Sequence, residues 1–134
     1  MFILGSANFG NEYPGSRVFL NHSKVESILD TFGKLGGCTI DTAVNYGHSH
    51  AIIASLNNKR FNIGTKINSE LLVSKEIIAE SIHSLDHLFG ENLSYILLHN
   101  SPENYKLCAK AVSYLVDYLR ERRHLKFGIS IYFF

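Results

Sequence analysis

With 134 residues the chain is long enough for one domain with a real core, and 46% hydrophobic against 19% charged residues excludes a disordered segment. A formal net charge of +1 leaves no basic surplus for nucleic acid and no polybasic patch for a membrane surface. The start, Met1-Phe2-Ile3-Leu4-Gly5, lacks the features of a signal peptide, and no run approaches the ~18 apolar residues that span a bilayer, so a cytoplasmic protein is expected.

Phe2-Ile3-Leu4 is a short apolar strand that stops at Gly5, and the Gly- and Asn-rich stretch from Gly5 to Gly15, with Pro14 in it, reads as loop. Ser23 with Glu26 three residues on forms a capping box, in which each side chain satisfies a backbone N–H of the first helical turn. Val25, Ile28, Leu29 and Phe32 then share one helical face, and Gly36-Gly37 ends the helix. Cys38 to Ala43 reads as a strand rich in β-branched residues near its start. A short helix is expected from Ser49 to Leu56 and a strand from Phe61 to Ile67. Ser74 opens a second clear helix, with Ile78, Ile82, Leu85 and Phe89 on one stripe and Gly90 as its stop. Leu93 to Leu98 is nearly all apolar, as a parallel strand covered on both faces would be. Ser101-Pro102-Glu103 is a strong helix start: a cap, a proline at the first position, and an acid at the positive end of the dipole. Leu107, Ala111, Leu115 and Tyr118 line the inner face of that helix, and Lys126 to Tyr132 forms a final strand.

Strict alternation of strand and helix means a parallel α/β sheet with helical crossovers. Pattern alone does not separate a doubly wound sheet from part of a (β/α)8 barrel, which takes about 250 residues when complete. No linker or repeat divides residues 1–134, so a single domain is expected. Cys38 and Cys108 lie far apart in apolar runs, without zinc spacing, and buried free thiols are expected.

Asp41, Lys66 and His99 stand at the ends of the second, third and fourth strands, with Tyr46 in the loop after the second. Barrel enzymes gather their catalytic groups at those ends. A tyrosine hydroxyl can protonate a carbonyl oxygen as hydride attacks its carbon, but free tyrosine, with a pKa near ~10, gives up its proton reluctantly at neutral pH. A neighbouring ammonium favours the phenolate. Asp41 would keep Lys66 charged and placed, and His99 would orient the substrate oxygen. The hydride must come from a cofactor.

The run from Asp41 to His50, DTAVNYGHSH, resembles the aldo-keto reductase signature D-T-A-x-x-Y-G-x-S-E. Gly64-Thr65-Lys66, Leu97-Leu98-His99-Asn100, Gly5 to Gly10 and Gly128-Ile129-Ser130 are similar to that family's catalytic-lysine strand, histidine strand, first strand and fifth strand, in order. The resemblance implies the N-terminal half of a TIM (β/α)8 barrel: four βα units and a fifth strand. It implies NADPH or NADH as cofactor, a small carbonyl substrate, Tyr46 as general acid, Lys66 and Asp41 as its tuners, His99 as the orienting residue and Ser130 at the nicotinamide amide. His50 departs from the signature's glutamate, at a position that is usually structural. Ser130 is followed by Ile131-Tyr132 rather than asparagine, as in some bacterial relatives linked to polysaccharide biosynthesis. Phe133-Phe134 falls where the family continues, which reads as a truncation. A half barrel would leave strand edges open to self-association. A non-catalytic docking or regulatory module and an inactive truncation product are therefore alternatives to a working reductase.

Other polar groups read more simply. His48 and His50 lie in a surface loop rather than a metal site, and His83 and His87 face solvent, since Ser84 stands where HExxH needs glutamate. Tyr105, Tyr114 and Tyr118 are helix packing, and the cluster Arg120, Arg122, Arg123 and His124 is a solvated helix end.

Overall fold

Strand and helix do alternate along the chain. The computed structural model describes residues 2–10, 20–57, 59–68, 74–100, 105–120, 122 and 124–131. The elements are β1 (Ile3–Gly5), α1 (His22–Lys34), β2 (Thr39–Asp41), α2 (Ser49–Asn57), β3 (Asn62–Asn68), α3 (Lys75–Phe89) followed by a 3-10 turn (Gly90–Asn92), β4 (Leu93–Asn100), α4 (Tyr105–Leu119) and β5 (Lys126–Ile131). All neighbouring strands are parallel, in the order β1-β2-β3-β4-β5. That order separates the two architectures left open by pattern alone. A doubly wound sheet reverses its strand order at a switch point, whereas a barrel wall adds each strand beside the last. The fold is therefore a segment of a (β/α)8 barrel.

The helix-facing side of the sheet carries the core. Ile40 on β2, Ile63 and Ile67 on β3, and Ile96 and Leu98 on β4 are buried there with Val25 and Leu29 of α1, Ile53 of α2, and Ile78, Ile82, Leu85 and Phe89 of α3. The α3 stripe is the predicted one, and the Ser74 side chain caps its start as expected by accepting from the Ile77 N–H. In α1, Val25 and Leu29 are fully buried, with Ile28 and Phe32 packed beside them. Leu115 of α4 is buried and Tyr114 and Tyr118 pack against the core. The Ser101-Pro102-Glu103 helix start, the side chains of Tyr105, Leu107, Cys108 and Ala111, the later part of the first loop, Arg123 and Tyr132 lie outside the described residues.

Several local expectations are corrected. Helix α1 begins at His22, and its cap is Asn21 rather than Ser23: the Asn21 carboxamide accepts from the Lys24 N–H at 3.0 Å, and the Ser23 hydroxyl donates to the same oxygen at 3.1 Å. An extended backbone at Asn21 places its short side chain under the first turn, which makes the later serine redundant as a cap. The helix closes as predicted, with Gly36 taking a φ of +80° that a side chain would strain. Cys38 is exposed, not buried, because it precedes the first residue of β2 at the rim of the sheet. Strand β4 is covered on one face only: Leu93, Ile96 and Leu98 are buried, while Tyr95, Leu97 and His99 are half-exposed on the inner face. Arg122 is no solvated cation; it is half-buried, ion-paired with Asp86 of α3 and stacked 5.0 Å from the Tyr118 ring centroid. No helix among the described residues is long and apolar enough to cross a membrane.

Candidate active site

Strand pleating decides which residues meet. Successive side chains point to opposite faces, so one parity of each strand feeds the helix-packed core and the other the barrel interior. The register sets Asp41 beside Gly64, Gly64 beside Tyr95, Asn68 beside His99, and His99 beside Ser130. Asp41, Lys66, His99 and Ser130 therefore share the inner face, toward the C-terminal ends of their strands.

Lys66 is 7% exposed. A buried ammonium must be paired, since isolated burial of its charge costs several kcal/mol. It donates to the Asp41 carboxylate (Oδ2) and, at 3.0 Å, to the backbone carbonyl of Thr42. The second acceptor is available because β2 hands over to its loop while still bonded to β3: the Thr42 N–H donates to Gly64 O at 2.8 Å and the Val44 N–H to Lys66 O at 3.0 Å. The Lys66 ammonium also lies 5.5 Å from the centroid of the Tyr46 ring, within the range of a cation–π contact.

The loop that carries Tyr46 is held from below. Its backbone turns tightly, the Tyr46 N–H donating to Ala43 O at 3.1 Å and the Ser49 N–H to Tyr46 O at 3.0 Å. Ser49, fully buried at the start of α2, donates to Ser6 O at 3.1 Å and reaches the Ser6 hydroxyl at 2.9 Å and that of Thr42 at 3.3 Å. These contacts tie the first and second strand ends to one helix terminus, so the tyrosine rests on a fixed base.

His99 is half-buried. Burial, reinforced by the Lys66 charge and partly offset by Asp41, holds its pKa below the usual imidazole value. It is neutral at physiological pH and can offer one N–H to a carbonyl oxygen. Ser130 stands next to it on β5, half-buried.

The tyrosine at position 95 is not singled out by the sequence, in which β4 is a nearly all apolar run. Its hydroxyl donates to Asp41 Oδ1 at 3.1 Å, so each oxygen of that carboxylate has its own donor. The available signal was parity: Tyr95, Leu97 and His99 alternate on one face. His50, expected in a surface loop, is instead half-buried, with Nε2 2.9 Å from the Thr65 hydroxyl and its ring edge-on to Phe89 at 5.3 Å. His48, His83 and His87 are exposed, and no metal-binding cluster occurs among the described residues.

For a nicotinamide cofactor, the described residues offer the hydroxyl of Ser130, an inner face without a covering layer among those residues, and a buried Asn8 Oδ1 that has no hydrogen-bond donor among them. These are groups a carboxamide and a ribose can satisfy, so the residues present fit such a ligand in part.

Residues 2–130 match the sequence profile described as the aldo/keto reductase family. Among solved structures, the chain is similar to an aldo-keto reductase from Pseudomonas aeruginosa (19% identity, TM-score 0.75, covering 96% of this chain and 54% of that one). It is also similar to a thermostable aldo-keto reductase crystallised with the inhibitor epalrestat (20% identity, TM-score 0.69, 95% and 48%). A third, an aldo-keto reductase from Klebsiella pneumoniae in complex with NADPH, aligns at 18% identity with TM-score 0.65 over 95% and 44%. The chain thus spans about half the length of these relatives. No curated protein sequence matches it.

Proposed function

The chain belongs to the aldo/keto reductase family, and from that premise we propose that it carries the proton-donating half of a site that reduces an aldehyde or ketone to an alcohol with NADPH or NADH. The observation that carries the reading is the Asp41–Lys66 ion pair set against the ring of Tyr46.

In this reading Tyr46 is the general acid. As the carbonyl carbon is reduced, its oxygen gathers negative charge, and the Tyr46 hydroxyl delivers a proton to it. The Lys66 ammonium favours the phenolate left behind, which eases the transfer. Asp41 and the Thr42 carbonyl keep that ammonium charged and fixed. Neutral His99 donates a hydrogen bond to the same substrate oxygen and so selects the orientation in which Tyr46 can reach it. Ser130 would hold the carboxamide of the nicotinamide and Asn8 is a further polar contact. The bound cofactor would supply the hydride, which no side chain can.

A second reading is favoured by the apolar surface beside β1, where Phe2, Ile3 and Leu35 are exposed around a cavity of about 380 Å³. In it the chain is a docking module rather than a catalyst. Titration of the purified chain with NADPH, followed by cofactor fluorescence together with the mass in solution, separates the two. Saturable binding at a Kd on the order of micromolar supports the reductase, and a screen of carbonyl substrates then follows. An assembly that binds no nucleotide up to about millimolar supports docking, and a monomer that binds none removes both.

A further inference from the structure

We propose that Tyr95 is a positioning residue for the proton donor: held across Gly64, its hydroxyl draws on Asp41 and so sets how much of the Lys66 charge reaches Tyr46. This rests on the reductase reading for its consequence in turnover, and on the geometry alone for its effect on Tyr46.

Asp41, Gly64 and Tyr95 occupy one level of three adjacent strands. A Cβ at position 64 would lie 1.7 Å from Cζ of the Tyr95 ring, so the ring lies where that side chain would be. Lying there, it spans β3 from β4 to β2 and brings its hydroxyl to Asp41 Oδ1, on the carboxylate whose other oxygen takes Lys66. The connection then runs from Tyr95 through Asp41 and Lys66 to the ring of Tyr46.

Burial, followed by the charge of Asp41 and the hydrogen bond to it, pushes the Tyr95 phenol well above the ordinary tyrosine value. It therefore remains a donor wherever the protein is folded and is unsuited to protonating substrate. The two tyrosines divide the ion pair between them, one on the carboxylate and one by the ammonium. A carboxylate that accepts a hydrogen bond presents less charge to its other partner. With the hydroxyl present, more of the Lys66 field remains for Tyr46. Without it, Asp41 neutralises Lys66 more completely and Tyr46 holds its proton more tightly. The titratable groups on this face among the described residues are Asp41 of β2, Lys66 of β3, Tyr95 and His99 of β4, and Lys126 of β5, which stands in register with Tyr95.

Tyr95→Phe keeps the ring over Gly64 and removes only the hydroxyl. In an active preparation kcat should fall ~3–10-fold with KM little changed, and the alkaline limb of the pH–rate profile, where Tyr46 loses its proton, should move up by about half a unit. A lower kcat with an unmoved limb would reduce Tyr95 to packing and overturn the proposal. If the wild-type chain turns over no carbonyl, the reductase reading fails, but the proposal is still decided. NMR of ring-labelled tyrosine follows the Tyr46 phenol directly in wild type and variant, and its midpoint should again rise in Tyr95→Phe. No movement there sinks the idea. Should Tyr95→Phe not fold, Gly64→Ala carries the same test, since its methyl group displaces the ring and its hydroxyl from Asp41.

Discussion

Lys66 is almost withdrawn from water, and Asp41 and the Thr42 carbonyl accept from its ammonium. The two members of the pair are unequal. The Asp41 side chain is 27% exposed against 8% for Lys66, so water can reach the carboxylate but hardly the ammonium. Asp41→Asn, which strands the buried cation, should destabilise the fold by about 2–3 kcal/mol, and adding Lys66→Met should recover part of that loss. Urea unfolding of the single and double variants measures both, and a double variant no more stable than Asp41→Asn would contradict the account. At Tyr46 the expected split is between chemistry and binding. Tyr46→Phe should lower turnover ~10²–10⁴-fold in any active assembly while leaving NADPH affinity within about twofold, checked by steady-state rates beside a fluorescence titration.

At the scale of elements, legibility in the sequence followed how local the determining contacts are. The α3 stripe, Ile78, Ile82, Leu85 and Phe89, was readable because a helix writes its buried face at fixed intervals and Ser74 and Gly90 mark its ends. Asp41, Lys66 and His99 were readable as strand ends. Tyr95 was not, since its role depends on the register that sets it beside Gly64, a relation between strands that neither strand states alone. His50 was missed for a similar reason: its partners, Thr65 and Phe89, belong to two other elements. That placement has a consequence for pH. Burial lowers the His50 pKa from the ordinary value near 6.5. The neutral ring's contribution is complete above that unfolded value, declines as pH falls below it, and is fully lost once pH has passed the lower folded value. Thermal unfolding should thus show stability dropping as pH falls below about 6.5, and His50→Gln, which keeps a partner for Thr65, should flatten the drop. The flattening is expected to be partial, because the His99 pKa is lowered as well. An unchanged slope in the variant would remove His50 as a contributor.

For the molecule as a whole, the sequential strand order leaves the outer sides of β1 and β5 without a partner strand among the described residues. Exposed backbone N–H and C=O groups on such edges pair readily with other strands, and Phe2 and Ile3 add apolar surface at one of them. The chain is expected to self-associate, and Ile3→Lys, which puts a charge on the β1 edge, should shift it toward monomer in sedimentation velocity. Equal distributions for the two would place the association elsewhere. The tyrosine seated on Gly64 has a different kind of consequence, in descent rather than in solution. Positions 64 and 95 are expected to change together. A side chain gained at 64 would push the ring at 95 out of its seat, and the ring keeps that seat only beside a glycine, so a change at either site bears on the other.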